Sequence, residues 1–552
     1  MIHHLPLLFL LTPLLSAIAI AFINITSTKQ LYQKIITAVG VLLPFPYLYL
    51  IFQLSPLSSL SYNLGGWPQP YGITITIDEL SLILLAVTAI LGILTYIYSL
   101  KYIQKEQGKF YFFFLLLLTG LNGIFLSGDI FNLYIFFDLT IICSFILITF
   151  GEDRYSFKGS INYLILGTLA SLFFLLGIGF IYAETGVLNL QTLQNSIPLI
   201  NTQTQIIIFT LFLAAIGIKS AIMPFHTWLV DAHSTAPIPI SALLSGIIVK
   251  AGIYLFIRIN SFGFDIPNIK EVILFLGAIT AVGGVLNALI QWDIKKITAN
   301  HTISQIGLIV VGLGTYSTLG ISGGIFHLVN HAFFKALLFL CAGALIYKTG
   351  TKDIRKHGIG LSMPITLIVY LIGILAISGI TPFNGAISKA IIENSLTNNP
   401  LIAAMVIFAS MGTVASFSKI IYYSFLKKSE KTTKKTYDEA PLLFLIPMIT
   451  LASLCLCIGL TPHIWLDNFI LPASNTLSTS ASLHLHFFQA ISLLKQWAIV
   501  GGGLLILFII IRLSSHLDPL REKISKITIN QSIVFMIITL IFALLLFGAL
   551  QY

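Results

Sequence analysis

The stretch SGGIFHLVNHAFFKALLFLCAGALIY, residues 322–347, decides the fold class of this chain. It is predominantly apolar and longer than the roughly 20 residues that an α-helix needs to cross a bilayer core. Similar runs recur along almost the whole sequence of 552 residues, which is 57% hydrophobic and only 9% charged. Soluble domains carry roughly a quarter charged residues. Because each span must satisfy its own backbone hydrogen bonds, the sequence predicts an all-α polytopic membrane protein.

Hydropathy on either side of this stretch predicts about sixteen spans in total. They lie at about 5–24, 35–54, 80–100, 110–127, 130–150, 160–183, 206–224, 239–257, 271–290, 302–315, 322–347, 364–395, 400–426, 441–460, 488–511 and 530–551. The first follows no Lys or Arg and is too long for the apolar region of a signal peptide, so it is interpreted as a retained span. The 364–395 stretch is too long for one straight span and contains Gly379 and Pro382, which predicts a helix broken within the membrane.

The distribution of positive charge predicts the topology. The chain has 30 Lys and Arg residues against 20 Asp and Glu residues, which gives a formal net charge of +10. If both termini lie outside, almost all basic loop residues fall on the inner side, in agreement with the positive-inside rule. The sequence therefore predicts a multi-pass protein of the cell inner (plasma) membrane. Its charge requires no nucleic-acid partner, and the cluster at Lys427–Lys435 is also suited to anionic lipid.

Six basic residues lie inside or at the edge of predicted spans: Lys219, Lys250, Lys335, Lys389, Lys419 and Lys495. A lysine at the membrane centre costs at least about 2.5–3.5 kcal/mol, so several of them imply compensating partners and an ion path. Lys495 lies near the outer end of its span, where snorkelling to the interface explains it. For Lys419, near the inner end of its span, snorkelling and function explain the position equally well.

Two of these lysines stand near a proline. Lys219 precedes Pro224 in GIKSAIMPFH, and Lys389 follows Pro382 in GITPFNGAISK. Proline breaks a membrane helix and frees carbonyl groups that can hold water or a cation. Two such helices indicate an inverted repeat, although two unrelated snorkelling lysines would also fit. Asp138, deep in the fifth span, is the predicted partner that keeps Lys219 charged, with a purely structural pair as the alternative.

A second group of candidates lies between the two predicted breaks. His327, His331 and Lys335 have i, i+4, i+8 spacing, which places them on one helix face, and Lys250 precedes them in SGIIVKAGIYLF. Imidazoles titrate near neutral pH and can pass protons through water. A single membrane histidine is often only a hydrogen-bonding core group, but two in register with a lysine favour a proton relay.

The sequence predicts neither a metal site nor a bound cofactor. The two histidines lack a third ligand, and there is no Walker A or dinucleotide-binding glycine motif. The four cysteines lie in apolar runs and are interpreted as structural thiols: Cys143, Cys341, Cys455 and Cys457.

Three motifs carry a resemblance to a known family. They are PFHTWLVDAHSTAPIPISALLSG (224–246), QWDIKKITANHTISQIG (291–307) and HAFFKALLFL (331–340). They resemble the proton-translocating antiporter-like family, which comprises the D-type component of Mrp-type Na⁺/H⁺ antiporters and related subunits of complex I and membrane-bound hydrogenases. The resemblance covers about residues 75–460. TPFNGAISK (381–389) and DEAPLLFLIPM (438–448) are closer to the Mrp D-type and hydrogenase-type branch.

The resemblance implies a fourteen-helix core with two inverted five-helix repeats and broken helices 7 and 12. In this sequence helices 1–3 would occupy 1–109, the repeats 110–258 and 271–426, and helix 14 residues 441–460. About two further transmembrane helices, at 488–551, would follow the core. They would either bind a neighbouring subunit or replace a structural element that other branches of the family attach in a different way.

The resemblance also assigns roles along a line of charged residues at the membrane midplane. Asp138 matches the acidic position of the fifth helix, Lys219 its partner on the seventh, and Lys250 the lysine of the eighth. His327 and His331 match the bridging histidines, with Lys335 on the same face, and Lys389 matches the lysine of the twelfth helix. The family usually has Glu at the position of Asp138, so a water would bridge the shorter side chain to Lys219. Asn300 stands where a tyrosine is usual.

The predicted function is that of a proton-translocating, antiporter-like subunit of an Mrp-type Na⁺/H⁺ antiporter. Its partners would be other membrane subunits, H⁺ and Na⁺, and the lipid bilayer. The alternative is a proton- or sodium-pumping membrane subunit of a redox-driven complex, such as a membrane-bound hydrogenase or a complex I-like dehydrogenase. The chain has no redox motif and would hold no redox centre itself. A stand-alone solute transporter fits less well because the three motifs argue against it. A quinone-reducing subunit fits less well because the sequence shows neither a quinone site nor the ligands of an adjacent iron–sulfur cluster.

Overall fold

The computed structural model describes residues 4–26, 30–53, 60–69, 71–151, 154–427, 437–475 and 490–525. Within these residues, the chain divides into two compact units. The first contains the chain up to Ala221 and the segment Thr235–Ile269. The second contains Ile222–Ser234 and the chain from Lys270 onward. Both units consist almost entirely of apolar helices.

The helices are, in chain order, α1 Leu5–Thr26, α2 Gln30–Leu42, α3 Pro44–Phe52, α4 Glu79–Tyr102, α5 Gln107–Leu126, α6 Ile130–Thr149, α7 Arg154–Thr185, α8 Leu190–Ser196, α9 Thr202–Ser220, α10 Thr227–Thr235, α11 Ile238–Leu243, α12 Val249–Asn260, α13 Ile269–Ile290, α14 Ile294–Gly314, α15 Thr318–Thr349, α16 Pro364–Ser378, α17 Asn384–Asn394, α18 Pro400–Ile421, α19 Leu442–Leu460, α20 Pro462–Trp465, α21 Leu471–Asn475 and α22 Ala490–Ser525. Turns of π-helix follow α11, α18 and α20, at Leu244–Ile248, Tyr422–Leu426 and Leu466–Ile470. Short 3₁₀ turns lie at Leu64–Gly66, Ile197–Leu199 and Ile354–Lys356.

Fourteen of the sixteen predicted membrane spans are confirmed as apolar helices of sufficient length. Fourteen helical segments of the described residues are long and apolar enough to cross a membrane, and each corresponds to a predicted span. The span predicted as broken, 364–395, consists of α16 and α17. The last predicted span, 530–551, lies outside the described residues. The most completely buried spans are Ile238–Asn260 in the first unit and α14 and α15 in the second.

The N-terminal part of the first unit differs in two details from the sequence prediction. The span predicted at 35–54 consists of two helices, because Pro44 occupies the first position of α3 and cannot donate a backbone hydrogen bond to α2. A small antiparallel sheet follows, in which β1 (Leu60–Asn63) pairs with β2 (Thr74–Ile77) and Leu60 lies opposite Ile77.

The start of α14 is the clearest error of the sequence prediction, which placed this span at 302–315. The helix begins at Ile294, because the Asp293 carboxylate accepts hydrogen bonds from the backbone N–H groups of Lys295 (2.8 Å) and Lys296 (3.2 Å). Hydropathy places the start of a span after the last charged and strongly polar residues, here Lys296, Asn300 and His301, and therefore omits the first two turns of this helix. The missed turns include His301, which is fully buried.

Candidate functional site

The first helix break places Lys219 in the interior of the first unit. Helix α9 ends at Ser220 because Ala221 adopts a left-handed conformation (φ 55°), and the peptide bond before Pro224 is cis. Lys219 is only 2% exposed. Its Nζ donates a hydrogen bond to Thr140 Oγ1 on α6 (2.8 Å) and lies 4.9 Å from the centre of the Phe137 ring. The lysine is thus held by a neutral hydroxyl and an aromatic face.

Asp138 lies on the same helix as Thr140 but bonds elsewhere. Its Oδ1 accepts a hydrogen bond from Ser171 Oγ on α7 (2.9 Å). Among the described residues, no ion pair of 4 Å or less joins Asp138 to Lys219. Residues two apart on a helix project in different directions, so α6 cannot direct both Asp138 and Thr140 at one ammonium group. The charge of Asp138 therefore acts on Lys219 from a distance.

Lys250 lies on α12, just after the π-helical turn Leu244–Ile248, and is completely buried. Its Nζ donates to the carbonyl of Ser245, a residue of that turn. π-Turns inside helices occur frequently at functional sites. Gly252, two residues further along, lets α12 approach the lysine of α9, since a Cβ there would lie 3.1 Å from Lys219 Cβ. The first unit thus holds two buried lysines on adjoining helices.

The far end of α12 is fixed by an ion pair. Arg258 donates to both carboxylate oxygens of Asp78, at 2.6 and 2.8 Å, and its guanidinium lies 4.8 Å from the centre of the Tyr254 ring. Burial alone would raise the pKa of Asp78, but the charge and hydrogen bonds of Arg258 lower it to about 2. The pair stays ionised at neutral pH and fixes the helix that carries Lys250.

The second helix break surrounds Lys389 in the second unit. Helix α16 ends at Ser378 because Gly379 adopts a left-handed conformation (φ 78°), the peptide bond before Pro382 is cis, and α17 begins at Asn384. Lys389 is 5% exposed, and its Nζ donates to the carbonyl of Ile377 (2.7 Å). The break thus leaves a carbonyl of α16 available to the lysine of α17.

The predicted triplet on α15 lies fully buried against α14 and α17. His327 contacts Ser388 Oγ through Nδ1 (2.9 Å) and Gln305 Oε1 through Nε2 (3.0 Å). The rings of His327 and His331 lie nearly parallel, with centres 6.2 Å apart. Lys335 donates to the carbonyl of Thr298 on α14. The sequence spacing therefore places all three on one buried face, as predicted.

Helix α14 contributes a polar face that the sequence prediction did not include. Thr298, His301 and Gln305 follow i, i+3, i+7 spacing, and His301 contacts Ser416 on α18 through Nε2. Three buried atoms of this helix have no hydrogen-bond partner among the described residues: His301 Nδ1, Ser304 Oγ and Gln305 Nε2. Buried polar atoms are normally satisfied by protein or by internal water, so this is a polar region within the apolar bundle.

The comparison with known proteins identifies the family of this chain. Residues 127–417 match the family described as NADH:quinone oxidoreductase/Mrp antiporter, TM, and this range includes every predicted site residue. The chain belongs to this family. The D component of the Na(+)/H(+) antiporter of Alkalihalophilus pseudofirmus is 33% identical to it over 464 residues, which cover 82% of this chain and 93% of that protein.

Relatives of this antiporter-like chain also occur in redox enzymes. The N component of the NADH-quinone oxidoreductase of Desulforudis audaxviator is 31% identical over 493 residues, covering 85% of this chain and 98% of that protein. A chain in the solved structure of the membrane-bound sulfane sulfur reductase, an archaeal respiratory membrane complex, superposes with a TM-score of 0.79 at 26% identity. That superposition covers 90% of this chain and 99% of the other. The predicted family and the antiporter-like nature of the subunit are confirmed.

Specific partners are present for Lys495, which was interpreted by snorkelling, and for Lys419, for which snorkelling and function explained the position equally well. Lys419 is fully buried and donates to the carbonyls of Leu289 (2.6 Å) and Gln291 (2.7 Å), where it caps the end of α13. Lys495 forms an ion pair with Glu393 at the end of α17 (2.5 Å). Neither partner is visible from sequence, because both come from helices distant along the chain.

Proposed function

We propose that this chain is the proton-translocating subunit of a multisubunit cation/proton antiporter that exchanges Na⁺ for H⁺. One observation carries the proposal: each helix break holds a buried lysine whose amino group bonds to a neutral oxygen. Lys219 bonds to the hydroxyl of Thr140, and Lys389 to the carbonyl of Ile377. The relationship to the D component of the Na(+)/H(+) antiporter supports the choice of ions.

A neutral partner suits a lysine that must both take up and release a proton. A buried ammonium group in a close ion pair is held in its charged form, and breaking such a pair is costly. Among the described residues, neither Lys219 nor Lys389 has an ion-pair partner within 4 Å. A hydroxyl or carbonyl oxygen accepts a hydrogen bond from the ammonium and from the neutral amine alike, so it stabilises both states.

The proposed relay uses the seven predicted residues in two sets. In the first unit, Asp138 supports the charge of Lys219, and Lys219 exchanges its proton with Lys250. In the second unit, the proton passes among Lys335, His331, His327 and Lys389. Imidazoles suit the intermediate positions because they bind and release protons near neutral pH. Water at each helix break connects the set of its own unit to the aqueous phase.

The test is proton transport by the assembled complex in inverted membrane vesicles. Lys219→Ala and Lys389→Ala should each abolish Na⁺-dependent proton transport while assembly with the partner subunits is retained. Lys109→Ala is the matched control, because this lysine is 67% exposed and lies outside the proposed path. Normal transport by a correctly assembled Lys219→Ala complex would refute the relay.

A second candidate function is supported by the relatives in redox enzymes. The chain would then be the proton- or sodium-pumping membrane subunit of a complex driven by electron transfer. Purification of the native complex separates the two functions. Small antiporter subunits and transport driven by a Na⁺ gradient indicate an antiporter, whereas co-purified redox subunits and transport driven by an electron donor indicate a redox pump.

The topology and the internal repeats are also part of the proposal. We infer that both termini lie outside and that 110–258 and 271–426 form inverted repeats. Cysteine labelling from each side of intact cells tests the first inference: Lys105→Cys should be labelled only from the inside. Labelling of that residue from the outside would reverse the orientation.

A further inference from the structure

Helix α22 packs tightly against α18 of the second unit. Gly502 and Gly503 allow this close approach. A Cβ at Gly503 would lie 2.6 Å from Val414 Cβ, and one at Gly502 would lie 2.9 Å from Met411 Sδ. Because a Cβ at Gly503 would also lie 2.7 Å from the backbone oxygen of Met411, no larger residue fits there without a shift of α22 away from α18.

The N-terminal part of α22 contacts both sides of the second helix break. Gln496 Oε1 accepts hydrogen bonds from the backbone N–H (3.2 Å) and hydroxyl (3.0 Å) of Thr381, within the break. The preceding residue, Lys495, forms its ion pair with Glu393 Oε2 on α17 (2.5 Å). Two consecutive residues of α22 thus contact the segment before Pro382 and the helix after it.

Glu393 lies one helical turn beyond Lys389 on the same face of α17. Exposure increases along this series: Lys389 is 5% exposed, while the side chains of Glu393 and Lys495 are 10% and 47% exposed. A titratable carboxylate therefore lies between the buried lysine and an accessible cation. This carboxylate belongs to none of the positions that the family resemblance assigned.

We propose that Glu393 carries protons between Lys389 and the surface, and that Lys495 is the positioning residue that controls the charge of Glu393. The inference rests on the proposed proton transport. In the outward direction the Lys389 ammonium gives its proton to the Glu393 carboxylate through water, which leaves a neutral amine and a carboxylic acid. The acid then releases the proton to surface water, and the Lys495 ammonium stabilises the carboxylate that re-forms.

The experiment compares four variants of the assembled complex in inverted vesicles by Na⁺-dependent proton transport across a pH series. Glu393→Gln should lower transport by about a hundredfold or more, the range expected for the loss of a proton-transfer group. Glu393→Asp keeps a carboxylate and should transport measurably faster than Glu393→Gln. Lys495→Gln should move the pH profile to higher pH, because without the nearby cation the carboxylate retains its proton more readily. The double variant with Gln at both positions should be as slow as Glu393→Gln.

If the Lys495–Glu393 pair only holds α22 against α17 and takes no part in proton transfer, the variants should behave differently. Two glutamines can still hydrogen-bond to each other, so the double variant would then transport normally, and Lys495→Gln would leave the pH profile in place. Either result overturns the proposal. The exposed pair Lys109–Glu106, 2.8 Å apart, is the matched control, and its double replacement by Gln should change neither rate nor profile.

Lys389→Ala in the same vesicles separates failure of this inference from failure of the proposed function. If Lys389→Ala is inactive and Glu393→Gln is fully active, only the role of Glu393 is refuted. If Lys389→Ala itself transports normally, the relay on which this inference rests is refuted.

Discussion

Each of the two helix breaks has a buried lysine beside it, but one lysine precedes its break in the sequence and the other follows its break. Lys219 lies before its break and bonds to a side-chain hydroxyl of another helix, α6. Lys389 lies after its break and bonds back to a carbonyl of the helix half that precedes it. A break can therefore accommodate a buried cation in two ways: by allowing a contact with a neighbouring helix, or by exposing its own backbone.

This difference has a consequence for how each site can be altered. The hydroxyl of Thr140 can be removed by substitution, whereas the carbonyl of Ile377 belongs to the backbone and is independent of the side chain at that position. The first site also has a carboxylate nearby, in Asp138, which bonds to Ser171. The first lysine thus depends on side-chain identity, and the second depends on the backbone geometry of the break.

The largest effect is expected at Asp138. Asp138→Asn removes the charge that supports the ammonium form of Lys219, so transport should collapse. Asp138→Glu keeps the charge and should preserve activity, because the longer side chain restores the reach that is usual in the family. The measurement is cation-dependent proton transport in inverted vesicles at equal expression. An active Asp138→Asn beside an inactive Asp138→Glu would mean that this residue serves helix packing alone.

The histidines of the second unit should show the next largest effect. His327→Ala and His331→Ala should each reduce transport more than the same change at His484 or His486, which lie outside the described residues. His327 has the more defined environment, since it contacts both Ser388 and Gln305. Transport is measured from about pH 6 to 8, around the usual imidazole pKa of about 6.5. If both variants keep wild-type rates throughout, the bridging step is wrong.

Thr140→Val should produce a moderate effect specific to the first site. The substitution removes the oxygen that accepts from Lys219, and a hydrogen bond to a charged group is worth about 1.5–3 kcal/mol. Transport should fall and its pH profile should shift, because the charged form of the lysine loses more than the neutral form. Thr88→Val is the matched control, since that buried hydroxyl bonds only to the carbonyl of Leu84 among the described residues. Equal effects of the two substitutions would show that Thr140 is merely structural.

A smaller effect is expected from the left-handed residues at the two breaks. Gly379→Ala places a side chain in a conformation unfavourable by about 1–2 kcal/mol, and its Cβ would lie 2.9 Å from Lys389 Cδ. Ala221→Gly relieves the same kind of strain at the first break. Thermal unfolding of the purified complex should therefore occur at lower temperature for Gly379→Ala and at equal or higher temperature for Ala221→Gly. The opposite order would show that the backbone at the breaks is not what limits stability.

The smallest effect on transport is expected at His357, which lies outside both sites. It is buried between Ser424 Oγ (2.9 Å) and the carbonyl of Thr351 (3.1 Å), and burial lowers its pKa to about 4. The folded state therefore binds fewer protons than the unfolded state between about pH 6.5 and 4. Its stability should fall by about 1.4 kcal/mol per pH unit as the pH decreases through this range.

In His357→Gln, the stability measured by thermal unfolding should depend less on pH between about pH 6.5 and 4. The dependence of transport on pH above 6.5 should not change. A transport profile that changes together with the stability profile would mean that acid inactivation reflects this loop and not the two sites.

Sequence reasoning succeeded where the signal lies within one helix. The spacing of His327, His331 and Lys335 predicted their common face, and Gly379 with Pro382 predicted the second break. It failed where partners come from different helices. Nothing in the sequence around Lys419 points to the end of α13, and nothing around Lys495 points to Glu393, because hydropathy contains no information on which helices adjoin.

The polar face of α14 was missed for a different reason. Hydropathy counts Thr298, His301 and Gln305 as evidence against a membrane span, although a helix surrounded by protein tolerates them. The i, i+3, i+7 spacing within QWDIKKITANHTISQIG could have identified this face. The predicted roles of the seven site residues stay predictions until the variants are measured.

The burial of α14 also bears on how the protein is made. A nascent helix enters the bilayer according to its own apolarity, and α14 is the least apolar of the fourteen candidate spans of the described residues. It is nevertheless enclosed along its length, with Gly277 and Gly284 of α13 against its backbone on one side and α15 on another. Its retention in the membrane during synthesis therefore depends on α13 and α15, and a nascent chain that stops before α15 would leave α14 exposed to lipid.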